Sequence, residues 1–250
     1  MGGAFYDDHE LFERYRAAVH PGPGSANFVM EDPALLDAIG DVRGLRVLDL
    51  GCGDAAVGRM LLDSGCRAYL GIDASARMIE AARDVLDGTP GEARREPIER
   101  FSAPAGSFDL VISRLALHYV EDLDAVLAAC RDCLAPGGRA IFTVVHPVIT
   151  SHDPRASSDD PRTSWVVDDY FAAGPRELDW LGGRVVWQHR TIEQYVLGMQ
   201  RAGFRLTALS ECAPRVERFA GDDAELARRH RIPLFLLLGG EWSNDPLQRS

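Results

Sequence analysis

The chain has no apolar run near the ~20 residues that a membrane-spanning helix needs. Its longest, Ile232-Pro233-Leu234-Phe235-Leu236-Leu237-Leu238, suits a buried strand instead. It lacks a basic balance. The formal net charge of −11 disfavours generic contact with nucleic acid or an anionic membrane, since both need a basic face. No signal peptide is expected, because Met1-Gly2-Gly3-Ala4-Phe5-Tyr6-Asp7-Asp8 meets acids at once. Its five cysteines are odd in number and scattered, which argues against a disulfide framework and predicts a cytoplasmic location. Cys130 and Cys133 form a CxxC with no second pair nearby, and His146, His152 and His189 show no ligand spacing, so no metal is expected. No GxSxG is present, which excludes the usual serine-hydrolase elbow.

What is there is an alternation of strand and helix over 250 residues, enough for one large α/β domain. Helices are predicted from Asp8 to Val19 and from Pro33 to Ile39, the latter with Asp32 as N-cap. Strand Arg46–Leu50, helix Val57–Ser64, strand Ala68–Ile72 and helix Ala76–Leu86 follow. A weaker strand is placed near Arg94–Ile98, then strand Phe108–Ser113, helix Leu123–Leu134 and strand Arg139–Val145. This order predicts a doubly wound parallel sheet. After His146-Pro147 the pattern lapses. Ser151–Ser164 reads as a mobile loop and the aromatic stretch Trp165–His189 as a small cap. Helix Thr191–Arg201 and late strands Phe204–Leu209 and Ile232–Leu238 close the chain. The expected organisation is a single domain: a helical cover (1–40), a cofactor-binding core (41–146), a cap (147–190) and a C-terminal part (191–250).

The most telling segment is Val47-Leu48-Asp49-Leu50-Gly51-Cys52-Gly53-Asp54-Ala55-Ala56-Val57-Gly58. A buried strand, a glycine turn and a helix start bring backbone N–H groups against a small ligand. Asp49 lies two residues before the first turn glycine. A carboxylate there sits badly beside a pyrophosphate and well beside an ammonium and a sulfonium, which points to S-adenosyl-L-methionine. Asp73, 20 residues after Gly53, ends the next strand, where a carboxylate can accept both hydroxyls of an adenosine ribose. The bland alternative for Asp73 is a helix N-cap.

VLDLGCGDAAVGRMLL, GIDAS, FDLVISRLALHYVEDL and LAPGGRAIFTV occur in that order. Together they resemble the class I S-adenosylmethionine-dependent methyltransferases, strongly over residues 44–146. The resemblance implies a Rossmann-like seven-stranded sheet with an antiparallel last strand. It implies that Asp49, Gly51 and Gly53 hold the methionine end, with Cys52 lending its backbone, and that Asp73 takes the ribose. Ala74, Ser75 and Met78 would line the adenosine edge, and Ser113 joins the cofactor contacts. The family often has an acid after the third strand; here Pro97 occupies that place, leaving Ile98 and Glu99 as candidates. The product would be S-adenosyl-L-homocysteine.

Methyl transfer needs a placed nucleophile, exclusion of water and often a base. His118, His146 and His189 are the candidate bases, each with a hydrogen-bonded structural histidine as the bland alternative. Tyr6, Tyr15, Trp165, Tyr170, Phe171, Trp180 and Trp187 are candidate walls of an acceptor pocket. Arg114 and Arg190 are candidate partners for an acceptor carboxylate. The expected function is methylation of a small organic acceptor, aromatic or carboxylate-bearing, at oxygen or carbon before nitrogen. The rivals are a nicotinamide-dependent oxidoreductase, a cofactor-binding regulator without turnover, and a protein or RNA methyltransferase. The oligomeric state is left open.

Overall fold

A computed structural model describes residues 2–19, 25–152 and 165–242. Its centre is a seven-stranded sheet: β1 (Arg46–Leu50), β2 (Ala68–Asp73), β3 (Gly91–Arg95), β4 (Phe108–Arg114), β5 (Leu134–Val145), β8 (Phe204–Ser210) and β9 (Phe235–Trp242). The order is β3-β2-β1-β4-β5-β9-β8. Six strands share one direction, and β9 alone runs opposite, antiparallel between β5 and β8. The continuous apolar runs in β1, β4 and β9 have a simple cause: both sheet faces are covered. Leu48 and Leu50 join one core cluster, with helices α6 (Leu123–Cys133) and α8 (Ile192–Arg201). Val47 joins the other, with α3 (Asp32–Ile39), α4 (Ala56–Asp63) and α5 (Ala76–Leu86). Because β1 pairs with both β2 and β4, the strand order reverses there, and the crevice at their C-terminal ends is where such sheets bind ligands.

Several elements differ from the sequence reading. The N-terminus holds two helices, α1 (Gly2–Asp7) and α2 (His9–Val19). Asp8 is not helical but caps α2, its carboxylate accepting from Glu10 N and Leu11 N. Asp32 is not an N-cap either. A π-helical turn, Asn27–Glu31, runs directly into α3 with helical dihedrals at Glu31, and no side chain caps the junction. β3 begins at Gly91, three residues before the expected strand, and β9 continues to Trp242. The expected aromatic cap contains a β-hairpin, β6 (Gly174–Trp180) and β7 (Gly183–His189), preceded by the short α7 (Pro147–Thr150). A further helix, α9 (Asp223–Arg229), lies between β8 and β9. Most of the loop expected at Ser151–Ser164, and the Pro-Gly stretch after Val19, lie outside the described residues. No described helix is long and apolar enough to cross a membrane.

Candidate active site

At the C-terminal end of β1 the chain turns through Gly51-Cys52-Gly53-Asp54-Ala55 into α4. Gly51 (φ +75°) and Gly53 (φ +56°) take left-handed conformations that suit glycine. A Cβ on Gly51 would run into the Ala116 side chain, so the loop after β4 presses directly on the turn. Gly51 N and Cys52 N donate to Ile72 O (2.8 and 3.0 Å), and Gly53 N donates to Asp73 Oδ2 (3.1 Å). Asp73 Oδ1 accepts from Ser75 N (2.8 Å). The Asp73 carboxylate thus ties the turn to the start of α5. Burial, and then the charge of Asp7, raise its pKa against these bonds.

Gly51, Gly53, Asp73, Ala74, Met78, Pro97, Ile98 and Glu99 line one half of a cavity of about 770 Å³. Beneath the turn, Asp49 is buried. Tyr69 OH donates to its Oδ2 (2.8 Å), while Oδ1 has no partner among the described residues. Burial pushes the Asp49 pKa up to about 7. An orphaned carboxylate oxygen, a turn with no room for a side chain at Gly51 and a second carboxylate one strand away fit a cationic nucleoside, which needs no phosphate cradle.

Residues 48–142 match the family described as "Methyltransferase domain". An S-adenosylmethionine-dependent methyltransferase of Mesorhizobium loti is 33% identical, with a TM-score of 0.77 over 87% of this chain and 98% of that one. This chain belongs to the class I S-adenosylmethionine-dependent methyltransferases. A Listeria monocytogenes structure is 29% identical, with a TM-score of 0.78 over 86% of this chain and 97% of its own. The ubiquinone biosynthesis O-methyltransferase of Bordetella avium is 31% identical over 43% of this chain and 45% of its own length. The chain thus spans less than half of that enzyme. S-adenosylmethionine is the cofactor of this methyltransferase, and the nicotinamide alternative is left without support.

The second half of the cavity is an aromatic chamber. Tyr6, Tyr15, Tyr119, Trp180 and Trp187 line it, with Val145, Ile149, Leu234 and Phe235. Tyr6 and Tyr119 hydroxyls are 3.0 Å apart, and burial raises the pKa of both phenols. Of the three histidines, the chamber wall takes only His118. Burial, then the charge of Arg190, lower its pKa to about 3, so the imidazole is neutral at physiological pH.

The other two histidines are held by hydrogen bonds away from the cavity wall. His146 Nδ1 accepts from Val148 N (3.1 Å), capping α7, and its Nε2 donates to Glu211 Oε1 (3.1 Å). His189 is fully buried. Its Nε2 donates to Tyr170 O (2.8 Å), which leaves Nδ1 to accept from the Thr150 hydroxyl (2.6 Å). Neither lines the cavity. Sequence position put both at strand ends; hydrogen bonding turned them inward. His189→Ala is therefore expected to cost roughly 2–4 kcal/mol of stability, by orphaning two buried groups. S-adenosylhomocysteine affinity should stay within about twofold. Thermal melting beside calorimetric titration checks both.

Other candidates divide similarly. Tyr6 and Trp180 line the cavity, whereas Trp165 and Tyr170 do not. Trp165 stacks on His152 and donates to Val148 O, and Tyr170 packs on His189. Arg114 reaches the wall but is committed to Glu31 (2.7 Å) and Asp32. Arg190 lies outside, donating to Val120 O and Glu121 O. Ser113 donates its hydroxyl to Leu50 O (2.7 Å) and does not line the cavity. The Cys52 N–H is committed to Ile72 O, and its carbonyl accepts from Ala55 N. Ser75 supports the site from behind, as N-cap of α5. The sequence reading missed Tyr119, Asp7 and Arg229, all on the wall. Tyr119 follows His118 directly and was findable. Arg229, from α9, carried no local signal.

Proposed function

We propose that this methyltransferase acts on a small organic acceptor, aromatic or largely apolar, held in the chamber of Tyr6, Tyr15, Tyr119, Trp180 and Trp187. One observation supports this reading most: a single cavity of about 770 Å³ joins the glycine-turn half to the aromatic half. Rings supply large, rigid contact area for a flat ligand. Bound S-adenosylmethionine supplies a methyl group on a positively charged sulfur, already activated for transfer. The side chains position the acceptor and exclude water.

Among the described residues no strong base faces the chamber. His118 is a weak one at a pKa of about 3, and the chain contains no lysine. The acceptor is therefore one that ionises readily by itself, such as an acidic phenol, enol or carbon acid, with methylation at oxygen or carbon. Arg114 is already balanced by Glu31 and Asp32, so the weight moves from a carboxylate-bearing acceptor to an aromatic one. All five cysteines are unpaired, which supports a reducing compartment.

The test is incubation with methyl-labelled S-adenosylmethionine and a small-metabolite extract, followed by mass spectrometry. Label in a new small molecule is expected. Label confined to protein or RNA would overturn the small-acceptor reading.

A further inference from the structure

The two halves of the cavity share a wall built by α1 and α2, and adjacent residues of α1 serve both halves. Tyr6 faces the chamber, bonded to Tyr119. Asp7 reaches the start of α5, beside Ala74 and Asp73 on the cavity wall. Its Oδ1 accepts from Ser75 Oγ (2.7 Å), Ala76 N (2.8 Å) and Arg77 N (3.4 Å). Arg77 Nε donates to the Asp7 carbonyl (2.8 Å), and Arg95 lies 3.4 Å from Oδ2. These bonds hold the Asp7 carboxyl below the usual carboxylate range.

The apolar contacts of this cover go elsewhere. Phe5 stacks on Trp180 (5.8 Å between centroids), and Tyr6 and Tyr15 meet Trp180 edge-on. Phe5, Val185 and Trp187 form a small cluster separate from the two that flank the sheet. Arg14 donates to Leu181 O (3.1 Å). The cover therefore packs on the β6–β7 hairpin, and its grip on the cofactor edge is polar and centred on Asp7. Such a grip has a defined geometry, because a carboxylate at a helix N-terminus answers specific N–H donors and the helix dipole. It is also local: Asp73 holds Ser75 N while Asp7 holds Ser75 Oγ. The ribose candidate and the Asp7 contact thus meet on one residue.

We propose that Asp7 is the latch of the cofactor site. By binding the N-terminus of α5 it holds α1 closed over the adenosine edge. The same closure sets Tyr6 into the acceptor chamber, so the chamber is complete only when the cofactor side is shut. Release of S-adenosylhomocysteine then requires the latch to open, a step of the kind that limits turnover in many enzymes. This inference rests on the cofactor and does not depend on which acceptor is used.

The test is the dissociation rate of S-adenosylhomocysteine from the full chain, measured by stopped-flow tryptophan fluorescence. Asp7→Ala should raise it at least tenfold. Asp7→Asn, which keeps an oxygen for Ser75 and Ala76, should give an intermediate rise and serves if the alanine variant misfolds. Glu10→Ala removes an exposed ion pair with Arg14 on the same cover and should leave the rate unchanged. Dissociation within twofold of wild type in both Asp7 variants would overturn the latch. So would an equal rise in Glu10→Ala, which would mean general loosening of the cover. A wild-type chain that failed to bind S-adenosylhomocysteine would overturn the cofactor assignment and the latch together.

Discussion

Asp73→Ala is expected to weaken S-adenosylhomocysteine binding by about 30- to 1,000-fold, or roughly 2–4 kcal/mol. Two losses add. The first is the carboxylate proposed to accept the ribose hydroxyls, where charged hydrogen bonds are each worth about 1.5–3 kcal/mol. The second is internal: Gly53 N and Ser75 N both donate to this carboxylate, so its removal frees the turn and the start of α5 together. Asp73→Asn separates the two. An amide oxygen can still accept one of the internal bonds, while its NH₂ cannot accept from a hydroxyl. The asparagine variant gives up one of the two internal bonds, so it should lose less stability than the alanine variant and still bind at least about tenfold more weakly. Calorimetric titration of both variants, beside their melting temperatures, is the measurement. Native affinity in Asp73→Asn would move the ribose role to another residue.

The part of the site that was legible in the sequence is the part that a local segment builds. The strand, glycine turn and helix over residues 46–63 need no distant partner to be recognised, because strand burial and left-handed glycines are written in consecutive residues. Asp73 was legible for the same reason, at a fixed offset on the adjacent strand. The hairpin was missed through its turn. Trp180 pairs with Gly183, and the two loop residues are Leu181 (φ +53°) and Gly182 (φ +83°). That is a type I′ pattern, whose first position ordinarily takes asparagine, aspartate or glycine; leucine there hides it. His146 and His189 lie off the cavity wall for another reason. His146 and His189 sit at strand ends, as expected of catalytic residues, but side-chain direction decides their role. His146 is directed by Val148 N and Glu211, His189 by Thr150 and Tyr170. Two of these partners lie 39 and 65 residues away in sequence, beyond the reach of any local pattern.

Asp49→Asn is expected to change stability and binding in opposite directions. In the free protein, burial raises the Asp49 pKa from 3.8 to about 7. A carboxyl whose folded-state pKa exceeds its unfolded value binds its proton more tightly in the native state. Stability is then full below the unfolded pKa and falls as pH rises through the folded one. Above pH 7 the buried charge, with Oδ1 unpartnered, costs on the order of 4 kcal/mol. Asparagine is neutral at every pH, so the ligand-free variant should melt higher than wild type at pH 8, by a smaller margin at pH 5, and nearly the same at about pH 4. Binding should show the reverse. If Asp49 meets the cofactor's ammonium, it must be ionised in the complex, so below pH 7 each bound cofactor displaces a proton. Wild-type affinity for S-adenosylhomocysteine should then rise about tenfold per pH unit up to pH 7 and level off above it. The asparagine variant should lose that rise and bind about 30-fold or more weakly at pH 8. Calorimetric titration from pH 5.5 to 8.5 decides the matter. A flat wild-type profile would mean that Asp49 keeps one protonation state throughout, and its orphaned oxygen would then need another partner than the ammonium. The expected pairing, less stable when empty and tighter when filled, is what a charge buried for a ligand should produce.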